Sequence, residues 1–135
     1  MKRLLVIDCS LWSDAYRPAD HWTALADCPC EVFRVFEGHY PPRSAISGCT
    51  HAIVTGSEAS IMQDDPWIIR VCALIQELVA LDKAVLGSCF GHQALARAIA
   101  GKHHVRPAKT PEVGYVAVVR TEAAGSDPVF GAMPP

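Results

Sequence analysis

A cysteine between two glycines is the first candidate for chemistry in this sequence. The segment reads Gly87-Ser88-Cys89-Phe90-Gly91 and lies between an apolar run and a predicted helix. This is a nucleophile-elbow pattern with cysteine as the nucleophile. The nucleophile sits on a sharp strand-to-helix turn, where side chains at positions 87 and 91 would collide, so glycine is needed at both. The pattern predicts a reactive sulfur at the carboxyl edge of a sheet, where ligands bind in open α/β folds.

The helix predicted after Cys89 supports the same chemistry. Its N-terminus favours a thiolate, which is the reactive form of cysteine. The backbone N–H of Phe90 points to the same place and can stabilise an oxyanion. A strand, a glycine turn and a helix occur in most α/β proteins, however. A buried cysteine between two glycines that serve packing alone is therefore the structural alternative.

The extension of the elbow by His92 and Gln93 makes the pattern more specific. Residues 87–93 read Gly-Ser-Cys-Phe-Gly-His-Gln and resemble the nucleophile motif of the class I glutamine amidotransferases. In that family the cysteine attacks the side-chain amide of glutamine, a γ-glutamyl thioester forms and ammonia leaves. The resemblance implies that Cys89 is the catalytic residue and that Gln93 contacts bound glutamine.

Three further segments resemble the same family, in the same order along the chain. Residues 55–61 look like its oxyanion loop, which implies that the backbone of Gly56 or Ser57 supplies a second N–H. Residues 112–115, Glu-Val-Gly-Tyr, resemble the segment that holds the amino acid portion of glutamine, which implies substrate binding at Gly114 and Tyr115. Residues 127–130, Asp-Pro-Val-Phe, resemble a stretch of members similar to the amidotransferase domain of GMP synthase.

The family also uses a histidine and a glutamate, two residues apart on a late strand, and no His-x-Glu occurs among the 135 residues. His92 is expected to point along the new helix, and His103 and His104 are expected to be ordinary surface histidines. We therefore expect residues 1–135 to form a partial amidotransferase domain, either a shortened form of an active protein or a natural gene fragment. On this interpretation the parent protein is a glutaminase, whereas this chain alone is inactive or weak.

Apolar runs and turn residues predict the elements that position the site. Strands are predicted at residues 4–8, 31–36, 51–54, 83–86, 104–106 and 115–119. Helices are predicted at 20–26, from Pro66 to near Asp82, and at 93–100, with Asp64 or Asp65 capping the second. This order predicts an α/β fold with a mainly parallel sheet flanked by helices. The resemblance implies the flavodoxin-like amidotransferase fold, incomplete at the C-terminus, with an open edge and exposed apolar surface.

Composition excludes several classes of protein. A chain of 135 residues forms one domain at most. Twelve Lys+Arg against fourteen Asp+Glu leave no basic footprint for nucleic acid. No apolar run approaches the roughly 20 residues of a membrane span or the length of a secretory signal, so we expect a cytoplasmic protein. The six cysteines are then expected to be reduced, and no metal site or organic cofactor is implied.

Three interpretations of the function stay open at this point. The first is hydrolysis of L-glutamine, with ammonia passed to a synthetase partner or domain. The second is hydrolysis of other γ-glutamyl amides or peptides by the same cysteine. The third is a binding module without turnover. An incomplete sheet can also recruit a second copy of the chain, which would make a homo-oligomer.

Overall fold

The computed structural model describes residues 1–110, 114–115, 117–128 and 130–132, and its regular elements lie in the first hundred residues. The strands are β1 (Leu4–Asp8), β2 (Cys30–Arg34), β3 (His51–Val54) and β4 (Ala84–Gly87). The helices are α1 (Pro18–Leu25), α2 (Arg43–Gly48), α3 (Pro66–Ala80) and α4 (Phe90–Ala100). The described residues after α4 form only short 3₁₀ segments, at Lys102–His104, Glu122–Ser126 and Phe130–Ala132.

The four described strands form one parallel sheet in the order β2-β1-β3-β4. Leu4 pairs with Cys30 on one side and with His51 on the other, and His51 pairs in turn with Ala84. This is the flavodoxin-like order, in which the chain reverses its winding direction between β1 and β3. The predicted α/β class with a parallel sheet is therefore confirmed.

Alternate side chains of the sheet enter two cores. Leu5 and Ile7 belong to the larger core, which includes the buried faces of α2, α3 and α4. Leu4 and Val6 point to the opposite face, where they pack with α1. In the described part of the chain, no helix has the length and apolar character needed to span a lipid bilayer.

The structure differs from the predicted elements at one helix and two strands. Helix α2, which the sequence did not predict, begins directly after Pro41 and Pro42, because proline is well tolerated just before a helix. The predicted strand at 104–106 is absent, and so is strand structure in the described residues of 115–119. Tyr115, Val118 and Val119 are almost fully exposed. Strand propensity expresses packing against neighbours, and no described segment covers these residues.

An ion-pair cluster ties the loop after β3 to the end of α4. The carboxylate of Asp64 accepts a hydrogen bond from Arg97 at 2.7 Å and a second one from Lys102. Arg97 also donates to the backbone carbonyls of Ile61 and Gln63. Asp65 occupies the N-cap of α3 without a side-chain cap bond. Asp64, expected as one of two possible caps, instead anchors the loop that continues from the predicted oxyanion segment.

We predict that Asp64→Asn makes the unfolding free energy less dependent on pH. A hydrogen bond from Lys102, which has the larger effect, and another from Arg97 lower the pKa of Asp64 from its ordinary 3.8. The folded protein thus binds this proton more weakly than the unfolded chain, so the stabilisation is present above about pH 4 and is lost as the pH falls through the lowered value. Urea unfolding between pH 6 and pH 3 should show the difference between wild type and variant shrinking with acidification. Asp65→Asn is the matched control, and an Asp64 difference that stays constant across this range would contradict the prediction.

Candidate active site

Cys89 occupies a strained turn between β4 and α4. Its backbone has φ 52° and ψ −113°, in the region that non-glycine residues rarely adopt. Such a conformation costs on the order of 1–3 kcal/mol and persists only where the surrounding packing imposes it. Cys89 is the N-cap residue of α4 and its side chain is exposed. The structure therefore has the local geometry that the elbow pattern predicts.

The two elbow glycines are required by contacts with backbone. A Cβ on Gly87 would lie 2.6 Å from the backbone nitrogen of His92, and it would overlap the carbonyl oxygen of Gly91. A Cβ on Gly91 would lie 2.6 Å from the carbonyl carbon of Val54, at the end of β3. These neighbours are main-chain atoms, which cannot rotate away. Because positions 87 and 91 carry no side chains, helix α4 can begin in direct contact with the end of β3.

The segment after β3 lies beside the cysteine. Ser88 N donates to Val54 O at 3.0 Å, which holds the elbow against the end of β3. A Cβ on Gly56 would lie 3.6 Å from Cys89 Cβ and 2.5 Å from the hydroxyl oxygen of Tyr16. The predicted oxyanion segment and the predicted nucleophile therefore meet, as expected for neighbouring parallel strands that end at one edge of the sheet.

Backbone donors at this edge are available to a ligand. In the described part of the chain, the N–H groups of Gly56, Ser57 and Phe90 donate to no protein acceptor. Phe90 begins α4, and the first N–H groups of a helix have no partner within the helix. Its side chain is buried and stacks on Trp67 with ring centroids 5.5 Å apart. That packing fixes the first turn of α4 and thereby the direction of the Phe90 N–H.

Of the residues predicted to bind substrate, Gln93 lies beside the elbow, whereas Gly114 and Tyr115 do not. Gln93 is exposed in the first turn of α4, and its backbone nitrogen donates to Cys89 O at 3.2 Å. Gly114 has φ 83° with open space around it, and Tyr115 is fully exposed. The structure does not bring these two against the cysteine. Glu112 and Val113, from the same motif, lie outside the described residues.

In the part of the chain described, no histidine is bonded to the cysteine and no cluster of metal-binding side chains is present. No hydrogen bond or ion pair among these residues joins a histidine to Cys89. His92 is exposed on α4. No group of three His, Cys, Asp or Glu side chains among them could hold a metal ion.

Sequence reasoning missed Tyr16, which lies near the cysteine, and the side-chain contact made by Glu58 within the predicted oxyanion segment. Tyr16, in the loop after β1, places its hydroxyl over Gly56. Glu58 accepts a hydrogen bond from Leu11 N at 2.9 Å and so ties that loop to the segment after β3. The only available signal was topological, because loops that follow parallel strands share one edge of the sheet. No local pattern singles out Tyr16 within its loop.

We predict that Gly91→Ala destabilises the protein by about 1–3 kcal/mol, the usual range for overpacking, because the new methyl group meets Val54 backbone. The midpoint of urea unfolding measures this change. Gly125→Ala is the control, since a Cβ there meets nothing within 4 Å. Equal midpoints for the two variants would show that the elbow does not need glycine at this position.

Comparison of the sequence with known proteins finds relatives of two descriptions. γ-Glutamyl peptidase 4 of Arabidopsis thaliana is 37% identical over 103 residues, which are 75% of this chain and 40% of that protein. A protein of Schizosaccharomyces pombe described as glutamine amidotransferase-like is 33% identical over 85 residues, which are 62% of this chain and 34% of that protein. No protein-family model matches.

A solved structure extends the likeness to the fold. The crystal structure of a glutamine amidotransferase from Methylobacillus flagellatus matches with a TM-score of 0.59 at 29% identity, covering 73% of this chain and 39% of that one. The chain thus spans about two fifths of the length of γ-glutamyl peptidase 4 and of this solved chain. The agreement in sequence and fold identifies a class I glutamine amidotransferase-like domain in this chain.

Proposed function

We propose that the protein cleaves the γ-glutamyl C–N bond of a small γ-glutamyl compound through a thioester on Cys89. The observation that carries this proposal is the exposed Cys89 at φ 52°, beside Gly56 and at the start of α4. Glutamine is the simplest such compound and gives glutamate and ammonia. A γ-glutamyl peptide gives glutamate and the remaining peptide or amine.

The surroundings of Cys89 suit a nucleophile better than those of the buried cysteines. Burial raises the pKa of the Cys9, Cys49 and Cys72 thiols, so these remain neutral and enclosed. Cys89 is exposed at the N-terminus of α4, so its sulfur is open to solvent. A thiolate there can reach a carbonyl carbon delivered from solvent.

The free N–H groups suit the charge that develops during attack. When the sulfur bonds to the carbonyl carbon, the π pair of the carbonyl moves to its oxygen. The N–H of Phe90 and that of Gly56 or Ser57 can then donate to this oxyanion. One such donor contributes on the order of 10²–10³ to kcat in enzymes where it has been removed. Collapse of the adduct breaks the C–N bond, and the nitrogen leaves with the proton that Cys89 lost to water. A water molecule then attacks the thioester carbonyl and the C–S bond breaks, which releases glutamate and returns the Cys89 thiol.

The relatives bear on the choice of substrate. Four of those matched are named γ-glutamyl peptidases and a fifth is described as glutamine amidotransferase-like. Both names involve the same γ-glutamyl carbonyl. We accordingly propose the γ-glutamyl group as the recognised unit, with Gln93 at the elbow as one contact. Substrate binding by Gly114 and Tyr115 stays a prediction.

We predict that Cys89→Ala abolishes both covalent labelling by 6-diazo-5-oxo-norleucine, a glutamine-shaped electrophile, and release of glutamate from glutamine or a γ-glutamyl dipeptide. Intact-protein mass should show one adduct on the wild type, blocked by substrate and mapped to Cys89. Cys28→Ala, which removes a partly buried thiol elsewhere, should label like the wild type. The ratio of the two turnover rates identifies the substrate.

A wild type that forms no adduct and releases no glutamate would reject catalysis by this chain. If it nevertheless bound glutamine, the interpretation as a binding module without turnover would replace the proposal.

A further inference from the structure

Resting on the proposed function, we propose that Tyr16 is a further catalytic residue, whose hydroxyl donates a hydrogen bond to the oxyanion formed on Cys89. It would act beside the backbone donors of the elbow and of the segment after β3. The Tyr16 side chain lies far from both segments in sequence, and no motif marks it.

The Tyr16 hydroxyl lies directly over Gly56. A Cβ built on Gly56 would be 2.5 Å from Tyr16 Oη and 3.5 Å from its Cζ, while Cys89 Cβ would be 3.6 Å away. The phenol and the cysteine therefore flank one small space over Gly56. In the proposed complex the oxyanion forms next to this space, within reach of the Tyr16 hydroxyl.

The loop that carries Tyr16 is held in place by specific bonds. Cys9 N donates to Thr55 Oγ1 at 2.9 Å, and Leu11 N donates to Glu58 Oε2 at 2.9 Å. Both bonds join the loop after β1 to the segment after β3. Tyr16 N then donates to Trp12 O at 2.9 Å, which closes the turn that brings the ring back over Gly56. Its placement is thus the result of several directed contacts.

Sheet topology places this loop at the ligand-binding edge. The winding of the chain reverses between β1 and β3, and open α/β sheets bind ligands in the crevice at that reversal. Tyr16 and Gly56 come from the two loops that border this crevice. A side chain from the β1 loop is therefore in position to contact a ligand that the β3 loop and the elbow also touch.

The hydroxyl is free and protonated, as a donor must be. In the described part of the chain, it makes no hydrogen bond to another protein group. Tyr16 is 39% exposed, so a substrate can reach it. Burial raises the pKa of Tyr16, and negative charge on Cys89, Glu58 and Asp8 raises it further. The phenol stays neutral at physiological pH and keeps its proton while it donates.

In the proposed step, no proton leaves Tyr16. The Cys89 sulfur forms the C–S bond and the carbonyl π pair becomes a lone pair on oxygen. The Tyr16 O–H donates to that oxygen until the pair returns and the C–N bond breaks. Because this hydrogen bond strengthens only in the transition state, its loss lowers kcat and leaves KM nearly unchanged.

The test uses Tyr16→Phe in the full chain, which removes the hydroxyl and keeps the ring over Gly56. First-turnover release of nitroaniline from γ-glutamyl-p-nitroanilide measures attack by Cys89. We expect the rate to fall about 10²-fold or more at unchanged KM, as for other oxyanion donors. Alkylation of Cys89 by iodoacetamide, which forms no oxyanion, should keep its wild-type rate. Tyr40→Phe, which removes a hydroxyl from a ring lying 3.6 Å below the Arg70 guanidinium, is the matched control.

The outcomes separate this proposal from the proposed function. An active wild type with an equally active Tyr16→Phe variant overturns the role of Tyr16 and leaves Cys89 catalysis intact. A wild type that attacks no γ-glutamyl substrate overturns both. If nitroaniline release and alkylation fall together, the tyrosine only shapes the loop, and the proposal fails. Should Tyr16→Phe not fold, 3-fluorotyrosine at this position keeps ring and hydroxyl but makes a stronger donor, and an unchanged rate would then refute the proposal.

Discussion

The close approach of Gly91 to the end of β3 is the contact on which the site depends. With no side chain at Gly91, helix α4 begins against the carbonyl of Val54, and the chain enters it through the positive φ at Cys89. The strain of that turn is balanced by packing around it, including the buried Phe90 on Trp67 and the bond from Ser88 to Val54. The same turn presents the sulfur outward and leaves the Phe90 N–H without an internal partner. The exposure of the Cys89 sulfur and the backbone strain therefore have one structural origin.

The parallel sheet gathers the other parts of the site. Strands β1, β3 and β4 are neighbours that end at one edge, so the loops that follow them converge although they are distant in sequence. Hydrogen bonds then fix how the loops meet, through Thr55 and Glu58 on the β3 side. The cluster of Asp64, Arg97 and Lys102 holds the far end of the same segment to α4. A loop restrained at both ends can present backbone donors in a fixed direction, which is what oxyanion stabilisation requires.

The sheet is covered unequally. The helices α2, α3 and α4 contribute to the larger core, whereas the other face packs with α1 alone among the described helices. Both edge strands expose apolar side chains, namely Val32 on β2 and Leu86 on β4. Both lie on the face that packs with α1, which agrees with the expectation of exposed apolar surface. The site itself lies where β1, β3 and α4 are well packed, so its geometry does not depend on the exposed face.

Local pattern was enough to predict the sheet strands, the helix α3 and the elbow at Cys89. Apolar runs and helical spacing reflect burial of each segment by itself, and two glycines around a cysteine encode a turn that no other residues allow. Tertiary structure alone decided three features. Asp64 forms ion pairs in place of a cap, the described residues of 115–119 lack strand structure because no described segment covers them, and Tyr16 lies over Gly56. Each feature depends on which distant segments the crossover connections bring together, and no short stretch of sequence determines that.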